Sequence, residues 1–232
     1  VNIIPFAYPF DRDPQGLKVQ IEKLMQCFQV NWEQVEKARE GLQAVRGLCR
    51  ELDFMTWKDN LVSGWENHYY LVSSSDFNRD PQQYQDELQE FITKARKREP
   101  YKDKVRLAFI GVPPIFTDLY QVLESLGARV VFNEVQRQFS MPFKCNNIIE
   151  QYIKYTYPYG AFARLEDIKT EVAKRNIDGI IHYAQTFCYR QIEDLIFREK
   201  LDLPFLTLEG DRPGRVDARS RMRLEAFINM LK

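Results

Sequence analysis

The residue with the most chemical promise in this 232-residue sequence is Cys188. It stands in the segment HYAQTFCYRQ, just after the apolar run GIIHY and where a helix is expected to start. A helix N-terminus favours the thiolate, the form of cysteine that binds metals and attacks electrophiles. The same place also suits a small side chain packing helix on sheet, because free cysteine is among the most buried residue types. Both readings stand at this level.

A second group leaves another strand end in LEGDRPGR, residues 208–215. Glu209 and Asp211 are paired acids suited to acid–base work, to metal binding or to holding Arg212 and Arg215. Gly210 and Gly214 permit a tight turn or a close backbone approach. The plainer reading is a solvated strand–helix loop. His182, one of two histidines, sits inside a strand, where a hydrogen-bonded core role is expected over a ligand role. Neither HExxH nor clustered cysteines support zinc. Gly111-Val-Pro-Pro follows a strand but lacks GxGxxG and the Walker lysine, so it is not a phosphate loop. No serine sits in a GxSxG elbow. The segments NEVQRQFSMPF (133–143) and YIKYTYPYGAF (152–162) read as a pocket wall, an interface or ordinary core.

These residues need a scaffold that brings them together. Residues 105–110, 129–132, 179–183 and 204–208 are short apolar runs, separated by helical spacing over 116–126, 146–155, 165–175 and 189–200, with a last helix over 217–231. That alternation predicts an α/β fold: a four-stranded parallel Rossmann-like sheet with helices on both faces. Ligands in such sheets bind outside the carboxyl ends of the strands, which selects the loops 111–114, 133–139, 185–190 and 209–215. Before the sheet, residues 2–9 read as a strand end, and helices are expected over 14–28, 32–52, 56–72 and 81–98. Two regions follow: 1–102, a helical linker, and 103–232, a Rossmann-like C-terminal domain.

Composition excludes several function classes. Lys+Arg and Asp+Glu both number 33, so the chain lacks the basic footprint of a nucleic-acid binder. No apolar run is long enough to span a bilayer. Residues 1–10 lack a basic start and a small-residue cleavage site, so no secretory leader is expected there. Cys27, Cys49, Cys145 and Cys188 are far apart without CxxC pairing, which fits reduced thiols in a cytoplasm. Cys27 and Cys49 have apolar helical neighbours and are expected to pack. The first residue is not methionine, and an N-terminal part is expected to be missing or processed away.

Three features carry a family resemblance: Phe187-Cys188 closing a strand and opening a helix, LPFLTLEGD over 203–211, and RMRLEAF over 221–227. RLAFIGVPP and LGARVVFNE fit as well, and the match is strongest over 103–232. The chain resembles the 2-hydroxyacyl-CoA dehydratase D-component family, which includes benzoyl-CoA reductase-like subunits. The resemblance implies a [4Fe-4S] cluster between domains, an acyl-CoA substrate, an ATP-dependent iron–sulfur activator protein that injects one electron, a paired subunit or homodimer, and an anaerobic cytoplasm. The reaction implied is radical elimination of water from a 2-hydroxyacyl-CoA. It implies Cys188 as a cluster ligand, with Gln185, Tyr189, Arg190, Glu209, Asp211 and Gly111 lining the substrate site. The sequence departs from the family by lacking a cysteine soon after the second strand, so Cys145 enters as a substitute ligand through a longer loop, and the cluster must be completed by residues outside this chain. The alternatives are a related acyl-CoA or small-molecule reductase and a cluster-free, non-catalytic partner subunit.

Overall fold

Local stop and start signals set the first hundred residues, as the computed structural model, which describes residues 3–232, shows. Asp13 accepts from the amides of Gln15 and Gly16, and Pro14 opens α1 (Pro14–Phe28). Asn31 and Gln34 form a reciprocal capping box before α2 (Trp32–Gly41), as Ser63 and Glu66 do before α4 (Gly64–Ser73). Between them lies α3 (Gln43–Trp57). A 3-10 turn at Phe77–Arg79 precedes α5 (Pro81–Ala95), capped by Asp80.

Three expectations are corrected here. The helix over 32–52 is two helices broken at Leu42, whose amide reaches the carbonyls of Arg39 and Glu40 in a tightened turn. The apolar spacing runs through that break, which hides it from periodicity. The helix over 56–72 starts only at Gly64, because α3 runs on to Trp57 and Asn60 takes a left-handed φ of 56°. The strand end over 2–9 does not form: residues 3–9 have no regular structure, and Asn2 lies outside the described residues.

From Val105 the chain alternates. The elements are β1 (Val105–Gly111), α6 (Leu119–Ser125), β2 (Ala128–Asn133), α7 (Glu134–Phe139), α8 (Ile148–Lys154), α9 (Ala161–Arg175), β3 (Gly179–Gln185), α10 (Glu193–Lys200), β4 (Phe205–Gly210) and α11 (Ala218–Leu231). All strand pairs are parallel, in the order β2-β1-β3-β4. Successive β1 residues face opposite ways. Leu107 and Phe109 join α6 and α11 in one core, whereas Ala108 and Ile110 join α9 and α10 in the other. The α/β expectation therefore holds. Helix α7 corrects the loop expected over 133–139; its sequence EVQRQF has no apolar period, yet Glu134 to Gln138 are all buried. No helix among the described residues is long and apolar enough to cross a membrane.

Buried arginines join the helical region to the sheet. Arg175 of α9 donates to both carboxylate oxygens of Asp53 on α3, at 2.9 and 2.6 Å, and to the carbonyl of Val131 on β2 at 2.8 Å. Arg129 of β2 donates to the carbonyls of Thr56 (2.7 Å) and Val62 (2.9 Å), to Asn60 Oδ1 (2.6 Å) and to both oxygens of Asp103 (2.7 Å each). Asn133, at the end of β2, donates to Asn67 Oδ1 at 2.8 Å and to the Gly64 carbonyl at 3.2 Å.

Two predictions follow from this seam. Asp53→Ala removes the two bonds that join Arg175 to α3 and leaves Glu171 as its only carboxylate partner, and its expected cost is about 1.5–3 kcal/mol in urea unfolding; a loss under about 1 kcal/mol would show that the seam is dispensable. His68 of α4 lies with Nδ1 3.0 Å from both the Tyr120 hydroxyl and Gln136 Nε2, and burial lowers its pKa from 6.5 to about 4. Between those two values the folded chain binds fewer protons than the unfolded one, so stability falls as pH drops through that window and the loss levels off below it. Thermal melts across the window are expected to show a weaker pH dependence in His68→Gln than in the parent.

Candidate active site at the strand ends

The loop after β3 is built around a left-handed residue. Phe187 has φ 64° and is 98% exposed, a conformation that costs a non-glycine residue about 1–2 kcal/mol. The Cys188 amide turns back to the Gln185 carbonyl at 2.9 Å, and the Cys188 carbonyl accepts from the Gln191 amide at 3.0 Å. Cys188 is half-buried and caps a 3-10 turn, Tyr189–Ile192. The α-helical part, α10, begins only at Glu193. The dipole expected directly at the thiol is therefore displaced by one short turn.

Arg190 follows two residues later. Its Nη2 donates to the Tyr157 carbonyl at 2.7 Å, and its guanidinium stacks over the rings of Tyr157 (5.1 Å) and Tyr189 (5.5 Å). Its Nη1 is 3.7 Å from Glu193 but makes no hydrogen bond. A donor thus remains uncommitted near the strand end. Tyr157 belongs to the aromatic run singled out in the sequence. Its ring is 6.2 Å from Tyr155, which is 6.3 Å from Tyr152, which is 6.3 Å from Tyr8, so the run forms a wall leading away from Arg190 toward the N-terminal segment.

The β4 end is fastened to the same loop. Gln185 pairs in register with Gly210, and the Gly210 carbonyl accepts from the amide (2.9 Å) and hydroxyl (3.2 Å) of Thr186. Glu209 is exposed and accepts from Gln191 Nε2 at 2.6 Å. Asp211 is exposed, with Arg212 at 3.8 Å. Beyond it, the Gly214 carbonyl accepts from the amide (2.8 Å) and hydroxyl (3.2 Å) of Thr117, docking this loop on the one after β1. The fold thus places Gln185, Cys188, Tyr189, Arg190, Glu209 and Asp211 at two neighbouring strand ends.

Gly111 has a different task. Its φ is 93°, a Cβ there would lie 2.2 Å from the Tyr183 carbonyl, and its amide is taken by Glu134 Oε2 at 3.0 Å. Glu134 receives two bonds of 2.7 Å from Arg164, which also bonds Glu193. Burial opposes the charge on Glu134, but the Arg164 guanidinium holds its carboxyl below the usual range. This fully internal chain ties the β1 end to α7, α9 and α10, and it escaped the sequence analysis. Glu134 had a signal, an acid immediately after a strand; Arg164 had none.

Cys145 has its own set of neighbours. Its carbonyl accepts from Arg39 of α2 at 3.2 Å, its thiol faces the Phe143 carbonyl at 3.6 Å, and burial pushes the thiol pKa up. The partners of Cys188 are instead on β3 and the 3-10 turn. Cys49 is buried against Tyr84, as expected of a packing residue, but Cys27 is exposed, which corrects that part of the expectation. Among the described residues no three His, Cys, Asp or Glu gather in a group able to hold a metal. His182 takes the core role: its Nδ1 lies 2.7 Å from Asp194 Oδ1, which also accepts from Thr207 at 2.6 Å.

The site's tightest steric demand is at Gly210, where a Cβ would fall 1.7 Å from the Tyr183 hydroxyl. That hydroxyl accepts from the Ile115 amide at 3.2 Å, so it cannot swing away freely. Gly210→Ala is expected to destabilise by about 2–3 kcal/mol, read by chemical denaturation. Gly41→Ala, where a Cβ meets nothing within 4 Å, is the control and is expected to be neutral or slightly stabilising. Equal effects at both positions would remove the steric argument.

A protein-family model described as 2-hydroxyglutaryl-CoA dehydratase, D-component, matches residues 12–231. Among curated proteins, none matches the chain. The family match takes in the helices before β1 as well as the sheet, in keeping with the buried arginine seam between them. It covers nearly the whole chain, and on that ground the chain belongs to the 2-hydroxyglutaryl-CoA dehydratase D-component family.

Proposed function

We propose that this chain works as a component of an iron–sulfur 2-hydroxyacyl-CoA dehydratase that eliminates water from a 2-hydroxyacyl-CoA by radical chemistry, in a cytoplasmic and anaerobic setting. The carrying observation is the half-buried Cys188 thiol at the β3 end of a family member, held in a strained turn beside an arginine with an uncommitted donor. Strained turns that persist concentrate at functional sites. A [4Fe-4S] cluster takes four ligands. The described residues offer a single thiol at this end, so on their own they do not fit such a cluster. Cys188 is therefore one ligand of a shared site completed from outside the chain, and Cys145 is dropped from the set.

The remaining residues bind and orient the substrate. The exposed Gln185 side chain faces the acyl-CoA as a polar group, and Arg190 lines the site behind it, stacked on Tyr157 and Tyr189. Tyr189 gives an apolar wall, and Glu209 and Asp211 form the opposite rim. Gly111 serves the site through its Glu134 bond rather than by contact. The partners this reading requires are an ATP-dependent iron–sulfur activator and a paired subunit. Exposed Phe187, Tyr189, Ile192 and Leu195 support the pairing, since an apolar patch beside a site marks an interaction surface. The single thiol also favours a second reading, a cluster-free partner subunit of the same complex.

Iron and acid-labile sulfide, measured on the complete complex purified without oxygen, decide between the two. About four irons per protomer, lost in Cys188→Ser together with turnover, is the expected result. Iron unchanged in Cys188→Ser, or absent after reconstitution, would leave the partner-subunit reading. Turnover of 2-hydroxyacyl-CoA against aryl-CoA by the same preparation separates dehydration from ring reduction.

A further inference from the structure

A cluster of cations lies against α3, on the β2 side of the sheet. Arg46, Arg50, Phe54 and Trp57 follow one another along α3, and Arg50, Arg137, Lys174, Phe54 and Trp57 line a cavity of about 150 Å³ together with one acid, Asp53, whose carboxylate is taken by Arg175. By comparable measures a single water needs about 10–15 Å³, so the cavity admits a polyatomic anion.

The charges here do not balance. Arg137 is held by Asp167 at 2.8 Å and Glu171 at 3.3 Å, Arg175 by Asp53 at 2.6 Å, and Lys174 by Glu171 at 3.1 Å. Arg46 and Arg50 form no ion pair among the described residues. Five cations thus meet three carboxylates, and the two in excess are Arg46 and Arg50. Arg46 is 8% exposed; its Nη1 donates to the Ser140 carbonyl at the cavity edge at 3.0 Å, and its Nε has no partner. Arg50 Nη1 is likewise buried and unpartnered. Burial pushes the Arg46 pKa down, and Arg50 beside it acts in the same direction. Buried charge without a counter-charge is costly and is retained where something compensates it.

We propose that this cavity is a binding site for a phosphate group, with Arg50 as its principal donor and Lys174 as the second. A phosphate monoester carries about two negative charges near neutral pH; of the two excess cations Arg50 lines the cavity and Arg46 stands behind it, bonded to the Ser140 carbonyl. Its oxygens accept charge-assisted bonds from guanidinium and ammonium groups. Phe54 is 45% exposed and stands edge-on to Trp57 at 5.5 Å, giving the organic part of an ester an aromatic surface at the mouth. The site needs neither Cys188 nor a cluster, so its failure and that of the dehydratase reading are separate.

The test is tryptophan fluorescence of the full chain, with Trp57 as reporter, titrated with inorganic phosphate, adenosine monophosphate and adenosine, and repeated by calorimetry. Saturable binding of phosphate or the monophosphate, and not of adenosine, is expected. Saturation by inorganic phosphate with no gain from the ester assigns a free-phosphate site; tighter binding of the monophosphate assigns an ester. Arg50→Gln is expected to weaken binding about tenfold or more, with a smaller loss in Lys174→Gln. In phosphate-free buffer Arg50→Gln should melt no lower than the parent, because it removes an uncompensated charge, and added phosphate should raise the Tm of the parent only. Absence of saturable binding by either phosphate compound, or unchanged affinity in Arg50→Gln, overturns the proposal.

Discussion

The ion pair between Arg175 and Asp53 is the constraint on which the rest of the structure depends. Arg175 is fully buried at the end of α9, and its guanidinium reaches three elements at once: Asp53 on α3, Glu171 in its own helix and the Val131 carbonyl on β2. A charge so placed cannot be left without its partner, because the interior offers nothing in place of water. The pair therefore ties the helices before β1 to the sheet after it. The pair does not have to be a large net source of stability to have this effect, since a well-packed apolar pair often does as well. It excludes arrangements in which α3 packs on the sheet in another register.

That rigid seam matters for the opposite edge of the molecule. With β2 held by Arg129, Arg175 and Asn133, helix α7 leaves the end of β2 in a fixed direction and delivers Glu134 to the Gly111 amide. The Glu134–Arg164–Glu193 chain then sets where α10 begins, and so sets the 3-10 turn that Cys188 caps. The end of β3 is positioned by buried charges two elements away. The left-handed Phe187 can be held there because those anchors over-determine its neighbours.

On the reading proposed above, a single thiol, an arginine with a spare donor and a rim of exposed acids are half of a site. This fits a family whose members work as components, and it gives the exposed Phe187, Tyr189, Ile192 and Leu195 a purpose at the place where the other half would meet this chain. The cation cluster on α3 is a separate feature, on the flank of the edge strand, and answers to a different ligand chemistry.

Much of this was legible in the sequence wherever the physics is local. Apolar runs, capping residues and helical spacing named the four parallel strands and most of the helices, and the LEGD and FC segments marked two neighbouring strand ends. Local patterns failed where a long-range partner decides. The spacing through Leu42 continues although the backbone breaks, and α7 is buried by polar contacts with residues about 30 positions away, such as Arg137 with Asp167, rather than by an apolar face. Cys145 entered as a substitute ligand because spacing alone does not say which loops meet. Only the tertiary structure could give the two thiols their neighbours, assign Gly111 to Glu134 and expose the unpaired Arg50, since each depends on which residues distant in sequence face one another, and a chain read one residue at a time does not contain that distance.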